Sequence, residues 1–358
     1  MSFYRILVNT IFLICMAYSG AAQENKKSGY SSPNFRDGKF HNLSPTPVSI
    51  EGVGMGKMIY DFTFNKDKNS KPKTKLPFIK KDISKIDFDV PVITWFGHST
   101  YLIRFAGKTF LVDPVFSNTV SPVPVAGPRK FATTDEYSTD DLPGIDFLII
   151  SHDHYDHLDK STIKTIKAKV KKVIVPLGVS EYFIKWGYNK DVIIELDWWQ
   201  SQVLNDSDSI TSAPARHFSG RGLTRNTTLW SSYALKIGNY KIFIGGDSGY
   251  DFHFKEIGER LGPFQMAILE CGQYNKNWPF IHMMPEETAL ASLDLKAEVL
   301  FPVHWAKFSL ALHGWTDPIE KLLQAADKNN VKVLTPMMGE SFKITEERVS
   351  KFWWRNIK

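Results

Sequence analysis

Short apolar runs separated by turn residues begin near Val90 and predict a strand-rich region. Each run is short enough to be a strand, and glycine, proline or asparagine stands at its ends. The pair Gly238-Asn239 between two such runs is typical of a hairpin turn. The runs that predict strands here are VITWFGHSTYLIRF and KTFLVDP around the turn Ala106-Gly107-Lys108, IDFLIIS, and the two halves of SSYALKIGNYKIFIGGD.

Later in the chain, helical patterns alternate with apolar strands. MPEETALASLDL starts with proline and acidic residues, as the first turn of a helix does. Strands that alternate with helices predict sheets covered by helices, in one layered α/β domain over residues 86–345. The predicted helices are STIKTIKA, MPEETALASLDL and DPIEKLLQAADKNN, and the predicted strands are KKVIVP, QMAILEC, EVLFPVH and KVLTPM.

The first 22 residues have the pattern of a secretory signal peptide. Arg5 precedes an apolar run over residues 6–17, and Gly20-Ala21-Ala22 offers a cleavage site before Gln23. The run is shorter than the roughly 20 residues of a membrane-spanning helix, which favours a signal peptide over an anchor. We therefore expect export to the periplasm or outside the cell. Of the two cysteines, only Cys271 would remain after cleavage, which excludes an internal disulfide framework.

Residues 23–85 form a mixed, lysine-rich stretch without a clear period and predict a flexible extension. The net charge of the chain is +6, and residues 66–81 alone hold seven lysines and one aspartate. The rest of the chain is neutral, so a nucleic-acid partner is not expected. The basic stretch is interpreted as a solvated linker or as a patch that makes peripheral contact with an anionic membrane. Residues 346–358 are expected to be a C-terminal tail.

The segment SHDHYDHLD (151–159) concentrates histidine and aspartate directly after a predicted strand. His152 and His154 project to the same side in an extended chain and can share one metal ion. Asp156 and His157 follow where the chain turns toward a helix, so they point to a neighbouring position. Four ligands from so short a segment cannot surround one tetrahedral ion. The pattern therefore predicts two ions that need further ligands from elsewhere.

Single ligand-type residues follow three later apolar runs. They are His217 in SAPARHFSGRG, Asp247 in KIFIGGDSG and His304 in VLFPVHWAKF. Each is expected at the same edge of a sheet sandwich, where the predicted strands end. These three positions are the natural partners of the histidine and aspartate cluster.

This ordered set resembles the metallo-β-lactamase superfamily. The flanking motifs resemble the branch that contains N-acyl-phosphatidylethanolamine-hydrolysing phospholipase D, and that branch approaches the ascorbate-6-phosphate lactonases. The resemblance covers residues 90–341 and implies a four-layer αββα sandwich behind an N-terminal extension. The motifs that carry it are WFGHST, LVDP, SHDHYDHLD, ARHFSGR, GGDSGY, EIGERLGPF, HMMPEE and VHWAKFSLA.

The resemblance also implies the metal ligands. One ion would be held by His152, His154 and His217, the second by Asp156, His157 and His304, and Asp247 would bridge the two. Imidazole and carboxylate ligands suit two zinc ions first, with iron or manganese as alternatives. The resemblance further implies that Asp156, Asp247 and His282 take part in catalysis, His282 from a loop over the site.

Supporting residues are expected around these ligands. Metal-bound imidazoles usually give their second N–H to a carboxylate or carbonyl, and His98, Asp113 and Asp159 are suitable neighbours. For Asp113 and Asp159, a turn or a helix cap is an equally good interpretation. His41, His253 and His313 lack such a context and are expected to be surface or packing residues.

The leading function from sequence is a phosphodiesterase in which a metal-bridging hydroxide attacks phosphorus. A small-molecule or lipid substrate is expected, and no oligomeric state is assigned. The alternatives are a lactone or β-lactam hydrolase on the same site and a non-catalytic, metal-stabilised surface module. GDSG (246–249) also matches a serine-protease string, but that reading leaves the metal-type residues unexplained. Aromatic candidates for a lipid groove are Trp198-Trp199, Trp278-Pro279-Phe280 and Phe352-Trp353-Trp354.

Overall fold

A computed structural model describes residues 29–86, 89–122, 127–222, 224–345 and 351–357, apart from the side chain of Met55. The predicted signal peptide, residues 1–22, lies outside the described residues. Among the helices of the described ranges, none has the length and apolar character needed to cross a bilayer.

The described elements follow the predicted alternation of strands and helices. Four short 3-10 helices accompany them within these ranges, at Ile83–Lys85, Lys167–Lys169, Lys190–Val192 and Trp353–Asn356. In chain order the others are β1 (Phe35–Arg36), β2 (Lys39–Phe40), α1 (Met55–Phe64), β3 (Val92–Trp95), β4 (Tyr101–Phe105), β5 (Lys108–Val112), β6 (Ile145–Ile149), α2 (Lys160–Ile166), β7 (Val170–Pro176), α3 (Ser180–Lys185), β8 (Ile193–Leu196), β9 (Ser201–Val203), β10 (Ser209–Ala213), β11 (Ser232–Ile237), β12 (Tyr240–Ile244), α4 (His253–Arg260), β13 (Phe264–Glu270), α5 (Pro285–Asp294), β14 (Ala297–Val303), α6 (Asp317–Lys328) and β15 (Ser341–Lys343).

Two sheets face each other in the centre of the molecule. In the described residues the first has the order β15-β3-β4-β5-β6-β7-β8 and the second the order β14-β13-β12-β11-β10-β9. In each sheet an antiparallel part continues into a parallel part, β5 to β8 in the first and β12 to β14 in the second. Parallel strands place their carboxyl ends at one edge, and the loops at that edge carry the ligand-type residues.

Alternating side chains build the layers. Ile103 and Ile149 belong to the cluster between the sheets, while their neighbours Leu102 and Leu148 belong to the cluster under α2 and α3. This is the period of two that a strand buried on both faces requires. Helices α4, α5 and α6 cover the other face of the second sheet through buried residues such as Ile257. The four-layer αββα sandwich predicted from the sequence is confirmed.

The predicted strand 92–105 is wrong in one respect, because it is two strands. Gly97 and His98 both adopt positive φ, +84° and +52°, and break the extended chain between β3 and β4. A Cβ on Gly97 would lie 2.9 Å from the sulfur of Met338, so only glycine fits there. The break brings the loop of His98 to the ligand edge, where His98 and the 304–305 backbone exchange two hydrogen bonds. The predicted strand KVLTPM is likewise reduced to a single bridge at Val333.

Several apolar residues of the extension pack against the rest of the chain, although most of residues 67–75 are exposed. Leu76 is fully buried in the main core, and Phe40 is fully buried against Trp198 and Trp230. Helix α1 lays Met58 and Phe62 against the loop that follows β13. The flexible interpretation failed for these apolar residues because they fill separate gaps at irregular spacing, which leaves no period in the sequence.

Candidate metal centre

The seven predicted ligands all lie at the common edge of the two sheets. The structure places His152 after β6, His217 after β10, Asp247 after β12 and His304 after β14. We define site one as His152, His154 and His217, site two as Asp156, His157 and His304, and Asp247 as the residue between them. One ligand atom from each member of site one and from Asp247 lies within 4.8 Å of the others, as do atoms of site two and His98.

Site one is a compact group of imidazole nitrogens. His154 Nδ1 lies 2.9 Å from His152 Nε2 and 3.2 Å from His217 Nε2. Asp247 Oδ2 lies 3.8 Å from the same nitrogens of His152 and His217. Separations of about 3 Å are those of nitrogen atoms that share one ion at the usual zinc–nitrogen distance of about 2.0–2.1 Å.

The outward contacts of site one fix which ring nitrogens carry hydrogen. His217 Nδ1 donates to the carbonyl oxygen of Ile281 at 2.8 Å, because a carbonyl can only accept. Ser151 Oγ donates to Asp113 at 2.6 Å and therefore accepts from His152 Nδ1 at 2.9 Å. In the neutral rings the Nε2 lone pairs of His152 and His217 consequently face the centre, as metal ligation requires.

Most contacts of site two are with carboxylates, and His304 Nδ1 also lies 2.9 Å from the hydroxyl oxygen of Ser99. His157 Nε2 lies 3.1 Å from Asp247 Oδ2, and its Nδ1 donates to Asp113 at 2.8 Å. His98 Nε2 donates to Asp156 Oδ2 at 2.9 Å. His304 Nδ1 lies 3.2 Å from Asp247 Oδ1. The predicted support from Asp113 and His98 is therefore present as direct contacts.

Two buried atoms of the set lack hydrogen-bond partners within the described part of the chain. They are His157 Nε2 and Asp247 Oδ1. An unpaired buried polar atom usually costs roughly 1–3 kcal/mol, so such atoms are rare unless something else satisfies them. Both point into the ligand set, and a bound cation satisfies a lone pair of either kind. The residues present thus fit a metal centre.

Electrostatics hold the rings of site one in the neutral state. Burial and the neighbouring imidazoles keep the pKa of His152 and of His217 well below the ordinary value of 6.5. Burial lowers the pKa of His154 to about 3. Neutral imidazole is the form that binds metal, so site one is preset for ligation at neutral pH.

Site two differs from site one at His157, whereas burial keeps the pKa of its other imidazole, His304, well below 6.5. Burial lowers the pKa of His157, but the carboxylates of Asp247 and Asp156 raise it by more, so it lies well above 6.5. Burial raises the pKa of Asp247 to about 6. Without a metal, His157 therefore carries a proton among acidic groups. A divalent cation that binds at site two would replace this proton.

Comparison with known proteins identifies the family. A family profile described as the beta-lactamase superfamily domain matches residues 108–305, which is more than half of the chain. The chain belongs to the metallo-β-lactamase superfamily. It is 32% identical to N-acyl-phosphatidylethanolamine-hydrolyzing phospholipase D 1 of Caenorhabditis elegans over 71% of this chain and 76% of that protein. This similarity places the chain in the branch that resembles that enzyme, and the chain is a metallo-hydrolase.

Two further similarities concern the length of the chain that is matched and its fold. An uncharacterized protein of Mycobacterium tuberculosis is 40% identical over 90% of this chain and 88% of its own length. Among solved structures, Igni18, a metallo hydrolase from Ignicoccus hospitalis, superimposes with a TM-score of 0.54 at 21% identity. That alignment covers 71% of this chain and 97% of Igni18, and it supports the fold.

Of the two interpretations of Asp159, its contacts in the structure are those of a helix cap. Its carboxylate accepts from the backbone N–H groups of Ser161 and Ser117 at 3.1 and 3.0 Å and from Thr162 Oγ1 at 2.5 Å. These contacts make Asp159 the N-cap of α2. The carboxylate that supports His157 is Asp113 instead.

His282 lies beside the ligand set and is held there by Glu270, a residue that the sequence analysis did not single out. Its Nδ1 lies 2.7 Å from Oε2 of Glu270, and its ring lies 5.1 Å from that of His217 and 5.4 Å from that of His304. Glu270 is fully buried, and burial raises its pKa well above 4.5. The signal for Glu270 was present, because an acidic residue ends the apolar run of β13 in the same way that Asp247 follows β12.

The GDSG string does not form a nucleophilic serine site. Ser248 is 2% exposed, and its Oγ donates to Gly249 O at 2.9 Å. His253 Nε2 lies 3.1 Å from Ser248 Oγ, but burial lowers the pKa of His253 to about 3. Neither residue lines the cleft over the metal centre. His253 is a packing residue, as expected, and His313 stacks on Tyr274 with ring centroids 4.6 Å apart.

The metal centre forms the floor of a cleft of about 1090 Å³, including its open mouth. Of the predicted groove aromatics, Trp278 lines this cleft, whereas Trp198, Trp353 and Trp354 are buried in core clusters. The remaining apolar wall comes from loops and from the extension. Its members are Val48, Met58, Phe62, Val120, Phe218, Ile281 and Leu310.

Proposed function

We propose that this metallo-hydrolase is a binuclear zinc phosphodiesterase that acts on a phospholipid headgroup ester, as N-acyl-phosphatidylethanolamine phospholipase D does. The observation that carries the proposal is the pair of ligand sets, sites one and two, at the floor of an apolar cleft, with Asp247 in the cluster of site one and 3.1–3.2 Å from His157 and His304 of site two. The open cleft favours an enzyme over a metal-stabilised binding module, because a structural metal site is closed.

The donor set suits zinc. It consists of imidazoles and carboxylates without a thiolate, so iron and manganese remain alternatives. Bound at both sites, the metal ions would supply an acidified water molecule and polarise the phosphoryl oxygen. Asp156 is oriented by His98, whose Nε2 donates to Asp156 Oδ2 at 2.9 Å, and we assign it the role of holding the attacking water.

His282 is assigned the role of general acid. Glu270 holds its Nδ1 from the buried side, which leaves Nε2 for the cleft. Burial lowers the pKa of His282 and raises that of Glu270, so the neutral pair is favoured over two separated charges. In that pair protonated Glu270 donates to Nδ1 and the hydrogen of the ring is on Nε2, so Nε2 can give its proton to the leaving oxygen while Nδ1 takes the proton of Glu270. An imidazole that lies beside both metal sites is well placed to give a proton to the leaving oxygen.

The wall of the cleft supports an acyl-chain substrate. Helix α1 contributes Met58 and Phe62, and the Phe62 ring stacks on Trp278 with centroids 6.0 Å apart. A lipid ester would place its charged phosphoryl group on the metal floor and its chains along this wall. A small polar lactone would leave most of the wall uncovered.

We also propose that the protein is exported and contacts a membrane at the mouth of the cleft. Tyr60 and Phe64 of α1 are 56% and 65% exposed, and the lysine-rich stretch 66–81 follows them directly. Exposed aromatics beside basic residues suit an anionic lipid surface. Vesicles with and without anionic lipid test this, because the double substitution Tyr60→Ser and Phe64→Ser should reduce sedimentation with the anionic vesicles. Equal sedimentation of the two proteins would count against the surface.

The function is tested by substrate comparison with zinc-loaded protein. Turnover is measured on an aryl phosphodiester, N-acyl phosphatidylethanolamine, a lactone and nitrocefin. We expect hydrolysis of the two phosphodiesters, and its loss in Asp247→Ala but not in the exposed control Asp135→Ala. Turnover of only the lactone or nitrocefin would make the phosphodiesterase proposal wrong. Full activity of Asp247→Ala would make the two-metal arrangement wrong.

A further inference from the structure

Arg225 is a cation in the wall of the cleft, beside site one. It is half-buried and lines the cleft together with His154, His217 and Phe218. Its guanidinium carbon lies 5.2 Å from the centre of the Phe218 ring. The same ring lies 4.5 Å from the His154 ring and 4.8 Å from the His217 ring, measured between centroids. The Phe218 ring is thus a common neighbour of the guanidinium and of two metal-site histidines, and all four side chains line the same cleft.

Two other arginines near the cleft, Arg221 and Arg216, use their donors in hydrogen bonds within the protein. Arg221 donates Nη1 to the carbonyl oxygens of Asp153, at 2.8 Å, and Leu158. Arg216 donates to the carbonyl oxygens of Pro45 and Tyr250 and lies 3.6 Å from the Asp251 carboxylate. These two side chains hold loops together, and their donors are used for that purpose.

Arg225 differs from these two arginines in its contacts. Within the described residues its guanidinium makes no hydrogen bond and no ion pair, and it lies over the face of the Phe218 ring. Burial lowers the pKa of the guanidinium below its ordinary value, with no acidic group to offset the effect. A half-buried charge without a partner costs free energy unless a ligand supplies the counter-charge.

The chemistry of the side chain indicates which ligand this is. A guanidinium presents parallel N–H donors that match two oxygens of a phosphoryl group. A phosphodiester carries one negative charge on its non-bridging oxygens, directly at the reacting centre. An uncharged lactone or carboxylic ester offers no such charge and gains nothing from a cation at this place.

We propose that Arg225 binds the anionic phosphoryl oxygen of the substrate and thereby selects phosphodiesters over uncharged esters. This inference rests on the proposed phosphodiesterase function and names a specificity residue for it. Arg225 acts by binding charge beside the metal floor, whereas the metal ligands and His282 act on the bonds that form and break.

The test compares Arg225→Gln and Arg225→Lys on a matched pair of substrates. Bis(4-nitrophenyl) phosphate carries the charge, and its methyl triester has the same leaving group without it. Loss of a charged hydrogen bond predicts that Arg225→Gln lowers kcat/KM for the diester by about 10- to 100-fold and leaves the triester rate unchanged. Arg225→Lys should recover part of the loss, since it keeps the charge. Arg260→Gln, the same change on the exposed face of α4, should leave both rates unchanged.

A binding measurement separates this inference from the proposed function. Inorganic phosphate is titrated calorimetrically into zinc-loaded wild type and Arg225→Gln, after equal zinc content and equal thermal unfolding have been established. We expect the variant to bind phosphate about tenfold more weakly or worse. Equal phosphate affinity, or equal losses on diester and triester, would overturn the role of Arg225. A wild-type enzyme that cleaves no phosphodiester would instead overturn the proposed function, and the phosphate titration would then decide the inference by itself.

Discussion

Site one and site two share Asp247 but are held by different kinds of contacts. In site one, neutral groups fix the rings, since His217 donates to a backbone carbonyl and His152 to the hydroxyl of Ser151. In site two, His304 likewise contacts a hydroxyl, that of Ser99, but His157 donates directly to the carboxylate of Asp113. The same carboxylate reaches His152 only through Ser151 Oγ.

The difference shows how one fold can give two ligand sets different chemistry. Neutral contacts and burial keep the pKa values of His152 and His154 low, so these rings are free of protons before a metal arrives. The carboxylates around His157 raise its pKa, so that ring must release a proton when it becomes a ligand. Metal binding at site two therefore releases a proton, whereas metal binding at site one does not.

The largest effect is expected from removing one ligand at each site. Under the two-zinc proposal, His154→Ala and His157→Ala should each retain about one zinc ion per chain, because the opposite set is still complete. Activity should fall by more than about 100-fold in both, since the reaction needs both ions. Zinc content by atomic emission, measured beside turnover, checks this.

The control is the site that each variant leaves untouched. The zinc that remains in His157→Ala should have the pH-insensitive affinity expected of site one, and that in His154→Ala the pH-sensitive affinity of site two. Loss of all zinc in either single variant would show that the sites do not bind independently.

The second comparison removes the supporting groups instead of the ligands. Asp113→Asn takes the charge from His157, so zinc affinity at site two should fall about 10- to 100-fold. Ser151→Ala removes only the link from Asp113 to His152 and should weaken site one by less. Titration against a chromophoric chelator measures both affinities. If Ser151→Ala lowered zinc affinity more than Asp113→Asn did, the charged contact to His157 would not be the stronger support.

The same contrast explains what could be predicted from the sequence. The ligands could be predicted because each follows an apolar run, and strands of one parallel sheet end at one edge. Asp113 and Asp159 could not be distinguished in this way. Asp159 is only two residues from His157, but α2 begins at Lys160 and uses the carboxylate as its cap. Asp113 is 44 residues away and is brought to His157 by the parallel pairing of β5 with β6.

Other parts of the site left little trace in the sequence. The extension was expected to be flexible, yet Asn42 accepts from the backbone N–H of His217 and donates to its carbonyl oxygen, at 3.1 and 2.7 Å. A single asparagine that meets a distant backbone creates no periodicity. Glu270 left a weak signal, an acidic residue at the end of the apolar run of β13, and that signal becomes meaningful only once His282 is seen beside it.

The third prediction uses pH to separate the two sites. The pKa of His157 lies well above 6.5, so below that pKa its proton competes with zinc, and site-two affinity should rise about tenfold per pH unit as pH increases. The pKa of His154 is about 3, so site-one affinity should be nearly constant from pH 6 to pH 8. Chelator competition at pH 6, 7 and 8 measures both slopes. Parallel slopes for the two sites would remove the electrostatic contrast between them.

The smallest effect is expected at Asp159, which decides between the cap and a metal-supporting role. Asp159→Ala removes the N-cap of α2 and should lower the free energy of unfolding by about 1–2 kcal/mol, measured by urea denaturation, with zinc affinity unchanged. Asp159→Asn is the sharper control, because asparagine caps a helix about as well as aspartate but lacks the charge. If Asp159 acted on His157, the asparagine variant would lose site-two zinc affinity at normal stability. If it acts as the cap, that variant should resemble wild type in both measurements, and only the alanine variant should be less stable.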